Sequence, residues 1–446
     1  MDKMQKMFEN LSAYTLPKNE TIKRTSLSKL AKNVMMAAGL SLPMLGANAD
    51  PTASSPAATS LASQAQSAIS SYQYAHIESH IAQLREAKLR YANIAAKGGW
   101  QPIFLEGAFR KGDKGEAVTK IITRLLFEYP ELVNSCNVTN ENTQAVCEYT
   151  SEVEKVVKDF QRRHGLKVDG VVGTKTLAAM NISAAQKRDK LALNIARIQD
   201  FKSKLGESFV LVNIPEYRLR FIDNGEVKAS KGVVVGRPSW KTPSFSDKIE
   251  KFVVNPEWRI PLSIATREIA PKVAADPDYL TKNNIVIRKN SFVDDELIDP
   301  STIDWASIKP YEFEHFLVKL PNDNNPLGKV KYLFPNPHAV YVHDTPNQGW
   351  FNQPMRAASH GCIRLEDPFS LVEIIAEIQR GSSLVKQVSM AREMQKSKTF
   401  HLDDPLPIHL VYWTAWADEK GKINFRDDIY QRDEAELNSI AQVASL

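Results

Sequence analysis

The stretch FVLVNIPEYRLRFIDNGEVKASKGVVVG, residues 209–236, decides the fold of the second half of the chain. Its apolar residues recur with a period of two, which is typical of β-strands. A turn sequence, Asp-Asn-Gly at 223–225, separates one predicted strand from the next. Strand-like runs follow at 252–258 and 332–342. The sequence therefore predicts a mostly β domain over residues 208–446.

An irregular segment interrupts these predicted strands. Residues 260–328 are rich in Asp, Asn and Pro, and we expect them to form an insertion that lies over the sheet as a lid. After it, DPFSLVEIIAEIQRG predicts an amphipathic helix that ends at Gly381. The tail LPIHLVYWTAWADEKGKINFRDD predicts a hairpin that turns at 419–421.

Upstream of the strands, residues 108–182 show the apolar period of helices. The segments GEAVTKIITRLLFEY and SEVEKVVKDFQRRHG each carry an apolar stripe, and the second helix should stop at Gly165. A third helix follows a turn and could be capped by Thr174. We expect a linker and an N-terminal helical scaffold at 50–107 and a connecting helix at 183–207. The fold class predicted for the whole chain is multidomain α+β.

The first 49 residues have the pattern of a secretory signal peptide. A basic lead precedes the apolar run VMMAAGLSLPML at 34–45, and Ala47-Asn48-Ala49 follows. The run is shorter than the roughly 20 apolar residues that a membrane-spanning helix needs. We expect export with cleavage after Ala49. An uncleaved anchor and a surface amphipathic helix stay open as alternatives.

The charge balance gives no sign of a nucleic-acid partner. The chain has a formal net charge of +5, and residues 1–49 account for +4 of it. A mature chain would carry about +1 by this count. Such a near-neutral protein lacks the basic surface by which nucleic-acid-binding proteins attract phosphates.

Only three cysteines occur in the 446 residues. Cys136 and Cys147 lie in one polar segment, SCNVTNENTQAVC, and could close a loop in an oxidising compartment. Such a bond contributes roughly 2–4 kcal/mol in the chain-entropy view. If they pair, Cys362 is left over, and an odd cysteine in an exported protein is an intermolecular partner or a reactive thiol.

Two short segments offer the chemistry of a reactive thiol. VYVHDTP places His343 at the end of an apolar run, and SHGCIRLEDP places Cys362 after a glycine. The thiolate is the reactive form of cysteine, and a nearby histidine activates it. Amide groups beside Gly361 could form an oxyanion hole. The alternative is that Cys362 is a small buried apolar residue.

At this point the sequence resembles a known family. His343, fifteen intervening residues and then Ser359-His360-Gly361-Cys362-Ile363-Arg364 are similar to the signature of the L,D-transpeptidases, the YkuD-type domain. The likeness extends over 209–430, including NPEWRIP and LGKVKYLFPNPHAVYVHDTP. Residues 108–182 resemble a helical peptidoglycan-binding domain. Together they look most like the large periplasmic members of Gram-negative bacteria, the YcbB-like group.

The resemblance implies a β-sandwich catalytic domain with a lid and a role for each signature residue. Cys362 would attack the carbonyl between diaminopimelate and the terminal D-alanine of a tetrapeptide stem, with His343 as base and then acid. The oxyanion hole would use the backbone N–H groups of Gly361 and Cys362. The remaining implied roles are loop shaping by Ser359 and His360, a loop or substrate-carboxylate contact by Arg364, and orientation of the histidine ring by the backbone or side chain of Asp344.

Other interpretations remain beside the transpeptidase. The same acyl-enzyme could be hydrolysed, as in an L,D-carboxypeptidase, or passed to a lipoprotein amine, and a silent catalytic domain would leave a peptidoglycan-binding scaffold. The expected partner is peptidoglycan, with other cell-wall synthesis enzymes as possible associates of a monomer and carbapenems as covalent ligands. We expect no cofactor and no metal. Three tryptophans could line a glycan-binding groove, although packing in the core is commoner for such residues: Trp240, Trp258 and Trp350.

Overall fold

The computed structural model describes residues 77–137, 146–290, 296–394 and 396–444. The predicted signal peptide and its cleavage site lie outside the described residues. Among the described residues, no helix has both the length and the apolar character needed to cross a membrane.

Eleven α-helices occur in the described ranges. In chain order they are α1 (77–96), α2 (Glu116–Leu126), α3 (Ser151–Arg163), α4 (Thr174–Asn181), α5 (Ala184–Phe201), α6 (Leu262–Ile264), α7 (Ala270–Ala275), α8 (Tyr279–Lys282), α9 (Pro368–Arg380), α10 (Ser382–Glu393) and α11 (Arg432–Ala444). Shorter 3₁₀ or π-helical turns are Pro130–Ser135, Lys202–Lys204, Ala265–Ile269, Pro300–Thr302 and Gln348–Asn352. Thr174 is the first residue of α4 rather than a cap before it.

Strands dominate the second half of the chain. In chain order they are β1 (Cys136–Asn137), β2 (Val146–Cys147), β3 (Ser208–Asn213), β4 (Arg218–Asp223), β5 (Glu226–Gly236), β6 (Phe245–Val254), β7 (Trp258–Arg259), β8 (Ile285–Arg288), β9 (Phe316–Lys319), β10 (Val330–Leu333), β11 (Val342–His343), β12 (Ala357–Ser359), β13 (Ile363–Leu365), β14 (Lys398–Val411), β15 (Ala415–Ala417) and β16 (Ile423–Phe425).

The described chain divides into two compact units, of which the first contains residues 100–157 and 170–181. Its core includes the predicted stripe of α2, whose apolar residues from Val118 to Leu126 are buried because helical spacing places them on one face. Cys136 and Cys147 pair across β1 and β2 and are joined by a disulfide bond. This unit is therefore a small helical module closed by a covalent loop.

The second unit contains residues 77–99, 158–169 and 182–444 of the described chain. Its nine-stranded sheet has the order β12-β5-β13-β11-β10-β6-β14-β3-β4, and β4 also pairs with β5. That last pairing closes the sheet on itself. Closure is possible because β5 is eleven residues long and pairs with β4 through its first half and with β13 through its second.

The core of this unit lies between the sheet and two helices. Inward residues of the strands pack with Leu371, Val372 and Ile375 of α9 and with Leu384 and Val388 of α10. The helix α9 ends at Arg380, and Gly381 follows with a φ of 61°, as the sequence predicted. The predicted turn at 223–225 joins β4 and β5, and the predicted tail hairpin is the antiparallel pair β15–β16.

The segment predicted to be an irregular lid has regular structure of its own. A three-stranded sheet of order β7-β9-β8 packs with α7 and α8 around a separate apolar cluster, which includes Ile260, Ile269, Leu280, Ile287 and Leu317. Its many Asp, Asn and Pro residues concealed short strands that sequence periodicity cannot resolve. The insertion is therefore a small folded layer rather than a loop.

Candidate active site

Three adjacent strands carry the candidate catalytic residues on one face. β11 lies between β10 and β13, and His343 pairs with Lys331 on one side and with Arg364 on the other. Side chains alternate along a strand, so Val342, between Tyr341 and His343, points into the core, where it is buried. Lys331, His343 and Arg364 therefore project from the opposite face of the sheet.

The candidate nucleophile, Cys362, lies next to these side chains, and the charges of Lys331 and Arg364 act on its thiol. Cys362 precedes β13, two residues before Arg364, while Ile363 between them is fully buried. The Ile363 amide donates to the Tyr341 carbonyl at 3.0 Å, which fixes the two chains side by side. The structure therefore brings together Cys362, His343 and Arg364, which are predicted site residues, and adds Lys331 and Tyr341, which sequence reasoning missed.

The tautomer of His343 suits a base. Its Nδ1 lies 2.6 Å from the Asp344 carbonyl oxygen, which can only accept, so Nδ1 carries the proton. The lone pair is therefore on Nε2. Burial lowers the pKa of His343 to about 3, with further lowering by the charges of Arg364 and Lys331. The imidazole is thus neutral and ready to accept a proton at physiological pH.

The Cys362 thiol is also neutral at rest. Burial raises its pKa, against the opposing influence of the Tyr341 amide and hydroxyl and of the Lys331 and Arg364 charges. Its sulfur lies 3.9 Å from the Ala339 carbonyl oxygen. We expected His343 to stabilise a thiolate, but the two pKa shifts favour a neutral pair whose proton moves during attack.

Asp344 orients the histidine through its backbone. Its carboxylate is used elsewhere, because it accepts from the amides of Lys329 at 2.8 Å and Thr345 at 2.7 Å. A Cβ on Gly328, whose φ is 59°, would lie 2.3 Å from that carboxyl group. Of the two routes considered for Asp344, the carbonyl is the one found, and Gly328 leaves the space that its side chain needs.

The loop before the nucleophile is held from within. Ser359 Oγ accepts from the Gly361 amide at 3.1 Å and donates to the Cys362 carbonyl. Gly361 has a φ of 114°, a conformation that favours glycine. The Gly361 amide therefore already donates to Ser359. Of the two amides predicted for the oxyanion hole, the Cys362 amide is the other candidate donor.

Two buried residues that the sequence did not indicate brace this loop from below. Thr242 Oγ1 donates to the Gly361 carbonyl at 2.8 Å and accepts from the Gly236 amide at 2.9 Å. The Tyr430 hydroxyl donates to the Gly236 carbonyl at 2.6 Å and accepts from the Thr242 amide at 3.1 Å. Thr242 and Tyr430 are 188 residues apart in the sequence, so no local pattern predicts that they meet under this loop.

His360 points away to an exposed corner of the site. Its Nε2 lies 3.1 Å from Arg237 Nη2, and its ring meets the edge of Trp240 at 5.2 Å between centroids. Trp240 is 51% exposed, so core packing does not explain it. Trp258 instead packs on the core of the insertion, and Trp350 is half-buried.

Comparisons with known proteins find two matching family models. A family model described as "L,D-transpeptidase catalytic domain" (YkuD) matches residues 207–386, and one described as "Putative peptidoglycan binding domain" matches residues 143–180. Residues 207–386 are therefore similar to a YkuD L,D-transpeptidase catalytic domain, and residues 143–180 are similar to a peptidoglycan-binding domain. This finding confirms the resemblance noted in the sequence and the multidomain α+β class.

One curated relative and two solved structures give the range of similarity. A Haemophilus influenzae protein named "Putative L,D-transpeptidase" is 35% identical over 259 residues, which cover 56% of this chain and 50% of the relative. The chain thus spans about half the length of that relative. The L,D-transpeptidase from Mycobacterium smegmatis is 16% identical, covers 46% of this chain and 58% of that chain, and has a TM-score of 0.20. The L,D-transpeptidase from Xylanimonas cellulosilytica, residues 123–326, is 12% identical, covers 69% of this chain and 100% of that chain, and has a TM-score of 0.18.

Proposed function

We propose that this protein is an exported, periplasmic L,D-transpeptidase that forms 3-3 cross-links in peptidoglycan. The donor is a tetrapeptide stem, and the bond cleaved joins diaminopimelate to the terminal D-alanine. The observation that carries the proposal is the arrangement of Cys362 and His343. His343 lies on β11 and Cys362 directly precedes the parallel strand β13, and the Nδ1 proton of His343 is held by the Asp344 carbonyl, so that Nε2 is left as acceptor.

The first half-reaction forms a thioester. His343 Nε2 takes the thiol proton as the sulfur of Cys362 attacks the scissile carbonyl carbon, and the carbonyl oxygen becomes an oxyanion. The Cys362 amide stabilises that charge, because the Gly361 amide already donates to Ser359. When the C–N bond breaks, the imidazolium gives its proton to the leaving nitrogen and D-alanine departs. A positioned histidine contributes roughly 10²–10⁴-fold to such steps.

The second half-reaction transfers the acyl group to an amine. The side-chain amine of a diaminopimelate in another stem attacks the thioester, gives its proton to His343, and displaces the sulfur, which takes the proton back. The products are an amide cross-link and the free thiol, so no oxidant, metal or cofactor enters the balance. The peptidoglycan-binding domain supports a substrate of this class.

Mass analysis of muropeptides tests the proposal. Purified wild-type protein incubated with disaccharide-tetrapeptides should release D-alanine and give cross-linked dimers, and Cys362→Ala should give neither while melting as the wild type does. His360→Ala is the matched control, because this exposed side chain faces Arg237 rather than the sulfur. Dimers made by Cys362→Ala would exclude the thioester route. Tripeptide monomers without dimers would instead indicate a carboxypeptidase.

A carbapenem separates a live nucleophile from a silent scaffold. We expect one carbapenem bound covalently per wild-type chain and none on Cys362→Ala, as measured by intact-protein mass spectrometry. Absence of both an adduct and turnover would favour the scaffold. Export is tested separately by locating the full-length chain in cell fractions, where a cytoplasmic protein would contradict the periplasmic assignment.

A further inference from the structure

Two cations stand beside the reacting groups without an anionic partner. In the part of the chain that the structure describes, neither the Lys331 ammonium nor the Arg364 guanidinium forms an ion pair or a hydrogen bond, and Cys362 is the negative group whose charge acts on each. Burial lowers the pKa of both. The Lys331 ammonium instead lies 3.9 Å from the centre of the Tyr341 ring.

Such an arrangement is unfavourable unless it serves a function. Withdrawing a cation from water costs free energy that a carboxylate or a set of hydrogen bonds normally offsets. Here a third cation, Arg259 of the insertion, is close enough for its charge to lower the pKa of Lys331. Lys331 and Arg364, both half-buried, thus lie beside Cys362 without a carboxylate partner, which indicates that an anion from outside the chain binds there.

The register shows where this anion would lie. Lys331 and Arg364 are the cross-strand neighbours of His343 on its two sides. Directly opposed residues in a sheet have Cβ atoms about 5 Å apart. An amine that receives a proton from His343 therefore lies between the two cations, and so does any group attached to the carbon next to that amine.

The leaving and attacking amines share one chemical feature. D-Alanine carries its carboxylate on the carbon that bears the amine, and so does the side-chain centre of diaminopimelate. Because the acceptor amine approaches the thioester from the position that the leaving amine has vacated, one subsite can serve both. Water and the side-chain amine of a lipoprotein lysine have no such carboxylate.

We propose that Lys331 and Arg364 form a subsite that binds a carboxylate on the carbon next to the reacting amine, and that this subsite selects both the leaving group and the acceptor. The inference rests on the proposed transpeptidase function and deepens it. Arg364 supplies a fork of donors that matches the two carboxylate oxygens, and Lys331 supplies a second charge from the opposite side. No covalent step is added.

The test uses pairs of substrates that differ only in this carboxylate. The full-length protein is given a donor stem that ends in D-alanine or in D-alaninamide, and, as acceptor probes, D-methionine or D-methioninamide. Thioester formation and exchange are followed by mass spectrometry, with kcat and KM for each substrate. Because charge-assisted hydrogen bonds to a carboxylate are involved, we expect wild-type kcat/KM to favour the carboxylate member of each pair by roughly 10- to 100-fold.

Variants then locate the selectivity. Lys331→Met and Arg364→Gln should each reduce the ratio toward 1, mainly by lowering kcat/KM for the carboxylate member while the amide member changes little. Lys248→Met is the matched control, since Lys248 is exposed on β6 and should keep the wild-type ratio. The ratio is internal to each protein, so partial loss of folded protein does not alter it.

Two outcomes would overturn the subsite. A wild-type ratio near 1, or variants that slow both members of a pair equally, would mean that the cations act on Cys362 and His343 alone. The proposed function fails in a different way, namely when wild-type protein forms no thioester with any donor and no carbapenem adduct. In that case the subsite falls with it.

Discussion

Arg288 is buried and Arg364 is half-buried, and the two arginines differ in their partners. In the insertion, Arg288 is 5% exposed and makes a two-pronged contact with Glu257, with both N–O distances at 2.8 Å. Arg220 forms a similar fork with Glu216 at 2.7 and 2.6 Å. Beside His343, Arg364 forms no ion pair with a carboxylate of the described residues.

The contrast separates two uses of a buried charge. Where a cation only has to fit the fold, the chain provides the anion, because an unpaired charge in a poorly solvated place is costly. In the proposed subsite, the substrate would supply the anion, and in its absence the charge of Arg364 acts on neighbouring groups. The lowered pKa of His343 is one result of that field, after burial itself.

Breaking the paired case should have the largest effect. Glu257→Ala removes the two hydrogen bonds that Glu257 accepts from the buried Arg288, and removing one partner of such a pair costs about 3–5 kcal/mol. Arg364→Met removes a cation that has no partner to lose, so its free energy of unfolding should change by under about 1 kcal/mol or rise. Denaturant unfolding of both variants measures the difference. Equal losses would show that Arg364 has a structural partner after all.

A second test asks how firmly the uncharged contacts hold the catalytic face. Gly328→Ala places a methyl group 2.3 Å from the Asp344 carboxyl group at a φ of 59°. We expect about 1–3 kcal/mol of destabilisation and slower carbapenem acylation, because Asp344 orients His343. Gly381→Ala is the control, since its φ is 61° and no atom lies within 4 Å of the added Cβ.

The acylation rate distinguishes these two glycines. Gly381→Ala carries backbone strain far from the histidine and should acylate at the wild-type rate once folded. If it slowed acylation as much as Gly328→Ala, the position of the Asp344 carbonyl would not be the cause.

The fold and the segments that form the candidate site were largely predictable because their signals are local. A period of two and an Asp-Asn-Gly turn are properties of neighbouring residues, and the turn is found at 223–225 as expected. The Cys362 signature and the upstream His343 likewise lie within one short segment of sequence. The pairing of β4 with β5, which closes the sheet, is a matter of long-range register, which sequence alone does not contain.

The polar surroundings of the catalytic pair were hidden for the same reason. Lys331 faces His343 only because β10 and β11 pair in one particular register, and a shift of one residue would place Tyr332 there instead. Thr242 and Tyr430 meet beneath the nucleophile loop from distant parts of the chain. Asp344 was predicted to orient the ring, but the choice between its backbone and side chain required the bonds that Lys329 and Thr345 make.

The smallest expected effect is on the pH profile, and it sharpens the comparison most. His343 must be neutral to accept the thiol proton, and the neutral fraction falls only as pH falls through its pKa of about 3. Wild-type carbapenem acylation should therefore show no acidic decline near pH 6.5, the ordinary pKa of histidine.

Burial remains in Arg364→Met, but the repulsion between Arg364 and a protonated His343 ring is gone. The acidic decline of the acylation rate should therefore move to higher pH in this variant. Lys331→Met should move it less, because the Lys331 charge is the weaker of the two influences. Single-turnover rates from about pH 2.5 to pH 8, each normalised to its value at pH 8 and taken after brief exposure to acid, measure this shift independently of carboxylate binding, and Lys248→Met should overlay the wild type. An unchanged profile in Arg364→Met would mean that the bare cation exerts no field on the base, and the contrast with the neutralised Arg288 would then concern substrate binding alone.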